Sequence, residues 1–102
     1  MTLTKQAIIN ILNINKSKII HFGIVKIGLF GSYVREEQNE KSDIDIFVDF
    51  SPQKETFDNF MELCFFLDDL FLGKKVEVVT QNGLSPIIGP KILKEVEYVE
   101  IL

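Results

Sequence analysis

At 102 residues, 46% of them hydrophobic and nine of them Phe, the chain carries enough apolar material for one core and too much to remain disordered. Its length fits a single domain over residues 1–102. A formal net charge of −4 and a pI near 4.9 argue against a nonspecific grip on nucleic acid, which needs clustered Lys and Arg. No stretch approaches the roughly 18 apolar residues of a membrane span and no signal peptide opens the chain, so a cytoplasmic location is expected.

Leu3 to Asn13 carries Ala7, Ile8, Ile11 and Leu12 at helical spacing, with Thr4 as N-cap. A second helical stretch covers Lys16 to Phe22 and ends at Gly23. Ile24 to Phe30 is apolar and β-branched, a buried strand broken by Gly31-Ser32. Tyr33 to Glu36 reads as the first turn of a short helix, Glu37 to Ser42 as a loop, and Asp43 to Phe50 as the second strand. Beyond Ser51-Pro52, Phe57, Phe60, Met61, Cys64, Leu67 and Phe71 form one face of a helix closed by Gly73. Lone Cys64, set in this apolar run, reads as core. Lys75 to Thr80 is a third strand with Val76 and Val78 inward, and Asn82-Gly83 a turn. Pro90 to Val96 is a helical candidate, and Tyr98 to Leu102 is unassigned. The order of elements predicts a small α/β (α+β) domain, helices packed on a short sheet.

The chemistry concentrates in three places. Strand side chains alternate faces, so Asp43 and Asp45 point one way while Ile44 and Ile46 point into a core. Carboxylates so close repel each other unless a cation lies between them, and a hard divalent ion with oxygen ligands is the usual solution. Phe47 shares their face, which a merely solvated strand edge would not favour; Asp49 extends the row but is not assigned to a metal. Upstream, Gly31-Ser32 follows a buried strand and opens a helix, an arrangement that lets phosphate oxygens approach backbone N–H groups. Downstream, Glu77 lies outward between the inward valines and is the candidate third carboxylate. Arg35, one helical turn beyond Ser32, is a candidate contact for phosphate or an acidic partner, with a surface ion pair as the alternative.

In combination, Leu29-Phe30-Gly31-Ser32-Tyr33-Val34-Arg35, then Ser42-Asp43-Ile44-Asp45-Ile46, then Lys75-Val76-Glu77-Val78-Val79-Thr80 resembles the nucleotidyltransferase domain of the DNA polymerase β superfamily. The match is closer to its minimal nucleotidyltransferase (MNT) group. The chain departs from the family pattern at Glu36, commonly Gly, and at Glu77, most often Asp. The resemblance implies a small nucleotidyltransferase fold with a short mixed sheet, and transfer of a nucleoside monophosphate from an NTP to a hydroxyl.

In that scheme Asp43, Asp45 and Glu77 are the catalytic and metal-binding acids for two Mg2+ ions, and Gly31, Ser32 and Arg35 bind the nucleotide, ATP by expectation. MNT proteins of this size are paired with a small helical HEPN protein, often a ribonuclease toxin. The resemblance therefore implies an antitoxin that adenylylates a tyrosine of its HEPN partner; the alternative is a binding module that neutralises the toxin by complex formation. The apolar residues, Phe22, Phe65 and Phe66 among them, also leave room for a buried interface between copies of the chain.

Overall fold

A computed structural model describes residues 3–101. Helix α1 (Lys5–Ile14) begins at Thr4, whose hydroxyl accepts the Ala7 N–H at 3.1 Å, and buries Ile8 and Leu12. Helix α2 (Lys16–His21) follows almost at once and buries Ile19. Strand β1 (Ile24–Phe30), the single turn α3 (Ser32–Arg35) and strand β2 (Ile44–Phe50) come next. Helix α4 (Phe57–Leu70) starts at Thr56, whose hydroxyl accepts the Asn59 N–H at 3.1 Å. Strand β3 (Val76–Thr80), helix α5 (Gly89–Glu95) and strand β4 (Glu97–Val99) complete the chain. The 82–83 turn is part of a 3-10 turn over Gln81–Gly83. Among these residues no helix is long and apolar enough to cross a membrane.

The four strands lie in the order β3-β2-β1-β4. β1 is antiparallel to both β2 and β4, while β2 and β3 are parallel. A parallel neighbour requires a crossover, and α4 supplies it. One face of the sheet is sealed: Ile27, Leu29, Ile44, Ile46, Val48 and Val99 pack against Ile8, Leu12, Ile19, Leu63 and Leu67. A register shift between Ile24 and Lys26 lets both Ile24 and Ile27 face this core despite their odd spacing.

The other face carries Asp45, Phe47, Glu77 and Tyr98. Phe47 is fully buried and meets the Tyr98 ring edge-on at 6.1 Å, so this face is not simply solvated. Gly28 pairs with both Phe47 and Tyr98 in register. A Cβ on Gly28 would come 2.6 Å from Val96 Cγ2 and 2.8 Å from the Glu97 carbonyl oxygen. Only a bare backbone lets the C-terminal segment lie so close.

Two expectations need correcting, and one unassigned segment gains a strand. The buried stripe of α4 is Phe60, Leu63, Phe66, Leu67 and Leu70, continued by Phe71, whereas Phe57 is 77% exposed and Cys64 is half-buried. Apolar residues on α4 outnumber what one face can hold, so spacing alone admits two offset stripes. Phe22, offered as interface material, is buried and packs on Phe66 at 5.6 Å, which leaves only Phe65 of that trio outward. Finally, the last assigned strand is β4, a three-residue edge strand formed only by pairing with β1; Leu102 lies outside the described residues.

Candidate active site

The end of β1 and the starts of β2 and β3 meet at one end of the sheet. Phe30 pairs with Asp45, and Asp45 pairs with Glu77. Neighbouring strands lie roughly 4.8 Å apart, so register alone brings the Asp45 and Glu77 side chains together on one face. Asp43 stands just ahead of β2, half-buried, on the same side.

This crowding has an electrostatic signature. Burial, the negative charge of Glu77, a hydrogen bond in which protonated Asp45 donates to Glu77, and the charge of Asp43 push the Asp45 carboxyl up to about 6; Arg35 opposes the rise. Glu77 has a partial counterion in Lys75 at 3.4 Å, in an exposed pair worth little. Among the described residues no three His, Cys, Asp or Glu side chains close around one point tightly enough to hold a metal ion. Asp45 and Glu77 form the close pair, and Asp43 contributes through its charge.

Gly31 sits against this pair. Its backbone (φ 81°, ψ −153°) lies in a region open essentially to glycine, and a Cβ there would come within 2.1 Å of Asp45 Oδ2. Ser32 opens α3 immediately after it. Among the described residues, neither the Ser32 N–H nor its hydroxyl takes part in a hydrogen bond. The α3 turn closes at Glu36, whose φ of 58° and ψ of 35° are left-handed. Glu36 therefore adopts the conformation that glycine would take more cheaply, and the turn keeps its shape.

The Gly31 N–H itself is already engaged. It donates to Glu95 Oε2 at 2.8 Å, while Arg35 Nη1 donates to Glu95 Oε1 at 2.5 Å. Arg35 also donates through Nε to Glu37 at 2.8 Å. Of the residues singled out in the sequence, then, Gly31, Ser32, Asp43, Asp45 and Glu77 come together, and Arg35 joins them from within two ion pairs. Glu95 was missed. Its partners are 60 and 64 residues away along the chain, and nothing local in Leu93-Lys94-Glu95-Val96 distinguishes it from a solvated helix residue.

Residues 6–99 match the family model Polymerase beta, Nucleotidyltransferase. The chain belongs to this family. As a polymerase beta nucleotidyltransferase it is 42% identical over 98 residues to the protein adenylyltransferase MntA of Thermococcus cleftensis, spanning 95% of this chain and 97% of that one. A solved structure assigned to a minimal nucleotidyltransferase superposes on this nucleotidyltransferase with a TM-score of 0.79 at 28% identity, covering 93% of this chain and 95% of the other. A chain from a toxin–antitoxin complex solved with AMP-PNP gives a TM-score of 0.62 at 29% identity, covering 84% and 73%. The mixed sheet with helices on one face is the fold that the sequence led us to expect.

Proposed function

We propose that the chain is a single nucleotidyltransferase domain that transfers AMP from ATP to a hydroxyl of a partner protein, a tyrosine of a HEPN-family toxin, and so acts as a cytoplasmic antitoxin. The observation that carries this reading is the pairing of Asp45 with Glu77 beside the Gly31-Ser32 turn, with the Asp45 carboxyl pushed up to about 6. The likeness to MntA of Thermococcus cleftensis and to a toxin–antitoxin chain supports the choice of acceptor.

The donor set suits Mg2+ by its chemistry rather than by a closed geometry. Asp43, Asp45 and Glu77 offer only hard oxygen ligands, and their mutual repulsion is what a divalent cation relieves. Asp43, Asp45 and Glu77 would be the residues that hold the ions. When bound, Mg2+ neutralises charge on the triphosphate and on the attacking oxygen. The remaining work falls to the chain. The Ser32 hydroxyl and N–H, without partners among the described residues, hold the β- and γ-phosphates. Arg35 reaches a phosphate only by exchanging one of its two carboxylates.

In the transfer, the acceptor oxygen forms a bond to the α-phosphorus, and the bond from that phosphorus to the bridging oxygen breaks. Pyrophosphate leaves, and the acceptor proton passes to Glu77. Few side chains are needed because the task is alignment and charge neutralisation. The assay is incubation with α-labelled ATP, Mg2+ and the cognate HEPN protein. Label is expected on a toxin tyrosine, and Asp43→Ala/Asp45→Ala is expected to abolish it. No transfer, or transfer undiminished in that variant, defeats the reading. If the same inactive variant silences the toxin at stoichiometric dose, neutralisation rests on binding instead.

A further inference from the structure

We propose that Glu95 is a positioning residue for the phosphate-holding turn, a role that rests on the reading of Gly31-Ser32 given above. One carboxylate bridges the two ends of α3: Oε2 accepts the N–H of Gly31 ahead of it, and Oε1 accepts from Arg35 in its last residue. The side chain is only 19% exposed, against 45% for Arg35. Burial works to raise the Glu95 carboxyl, but the Arg35 hydrogen bond, the Gly31 N–H and the charges of Arg35 and Lys91 outweigh it and hold the group below the usual carboxylate range. Glu95 is also the last residue of α5, where a negative charge opposes the helix dipole. A carboxylate kept at an unfavourable helix end is explained by what it holds.

What it holds is the link between Ser32 and the acids. Gly31 lies so near Asp45 that an added Cβ would collide with its carboxylate, and its N–H is anchored to Glu95, so the clamp fixes where Ser32 stands relative to Asp45. A displacement near 1 Å at such a turn is enough to cost about 10²-fold in rate. Because Glu95 ends α5 just ahead of β4, the C-terminal segment becomes a working part of the nucleotide site.

The test compares wild type with Glu95→Ala and Glu95→Gln. Without nucleotide, the Gly31 amide is expected to show a downfield NMR shift and slow exchange in wild type. Both should be lost in Glu95→Ala and partly kept in Glu95→Gln, which retains an acceptor oxygen. In the transferase assay, kcat/KM for ATP should fall about 10–100-fold in Glu95→Ala, KM for the acceptor protein should hold, and Glu95→Gln should fall between. A Gly31 amide unmoved in folded Glu95→Ala overturns the proposal, as does an equally large rise in KM for the acceptor protein. Tighter ATP binding in Glu95→Ala overturns it too, because the carboxylate would then be obstructing the site. If Glu95→Ala does not fold, Glu95→Gln decides by the same readouts. If wild type transfers nothing, the proposed reaction fails while the Gly31 amide still decides the clamp.

Discussion

Two carboxylates flank Gly31 and live under opposite conditions. Asp45 faces Glu77 and Asp43 and is pushed up to about 6; Glu95 faces Arg35 and a backbone N–H and is held below its ordinary range. Both are largely withdrawn from water, so burial alone does not separate them. Partners do. Glu95 is satisfied by groups the chain supplies, which marks a structural carboxylate. Asp45 faces like charge that Arg35 only partly offsets, and the proposed Mg2+ would satisfy it. An acid set among like charges on a partly covered sheet face is where ligand chemistry belongs.

The contrast breaks most sharply at Asp45. Asp45→Asn is expected to lower transferase activity about 10²–10³-fold while the metal-free melting temperature holds or rises, because a repelling charge has gone. Melting curves and initial rates on the same preparation check both halves. Gly31→Ala is the next largest. Its Cβ meets Asp45 Oδ2 in a backbone region costing about 1–3 kcal/mol for a residue other than glycine. Denaturant unfolding should record that loss together with weakened ATP binding.

Acidity tests the two carboxylates in opposite directions. For Asp45 the folded value, about 6, lies above the ordinary 3.8, so its contribution is fully present below pH 3.8 and lost as pH rises through about 6. For Glu95 the folded value lies below the ordinary 4.5, so its contribution is present above pH 4.5 and lost as pH falls through the lowered value. With chelator present, stability should decline by about 1–2 kcal/mol between pH 4 and 6.5, allowing for solvent screening on the open face. Asp45→Asn should flatten that arm and leave the acid arm intact; Mg2+ should restore stability near pH 7. The smallest effect lies at the far end of α3, where Glu36→Gly should stabilise by about 1 kcal/mol by relieving a left-handed residue, with rates little changed.

What could be read from the chain follows the range of the forces involved. The spacing of Asp43, Asp45 and Glu77 was readable because strand alternation is local and the valines and isoleucines between them fix the face. Gly31-Ser32 was readable because a strand ending on glycine is a local break. Phe47 among the acids correctly signalled a covered face, though not that Tyr98 covers it. Glu95 was unreadable because its meaning depends on Gly31 and Arg35, far off in sequence. The α4 stripe was misplaced because an overfull helix lets the sheet, rather than the periodicity, choose which side turns inward. β4 was invisible because three residues at an edge have no strand character apart from their neighbour.

Gly28 extends the reach of the site beyond its own residues. Val96, which would collide with any side chain there, is the residue next to Glu95. A methyl group in the middle of β1 would act as a shim under the C-terminal segment, lifting the carboxylate from the turn it holds without touching an acid or a phosphate. Missing volume at one strand position thus works as a fine adjustment of the Gly31-Ser32 turn, and substitutions there belong with those of the proposed site itself.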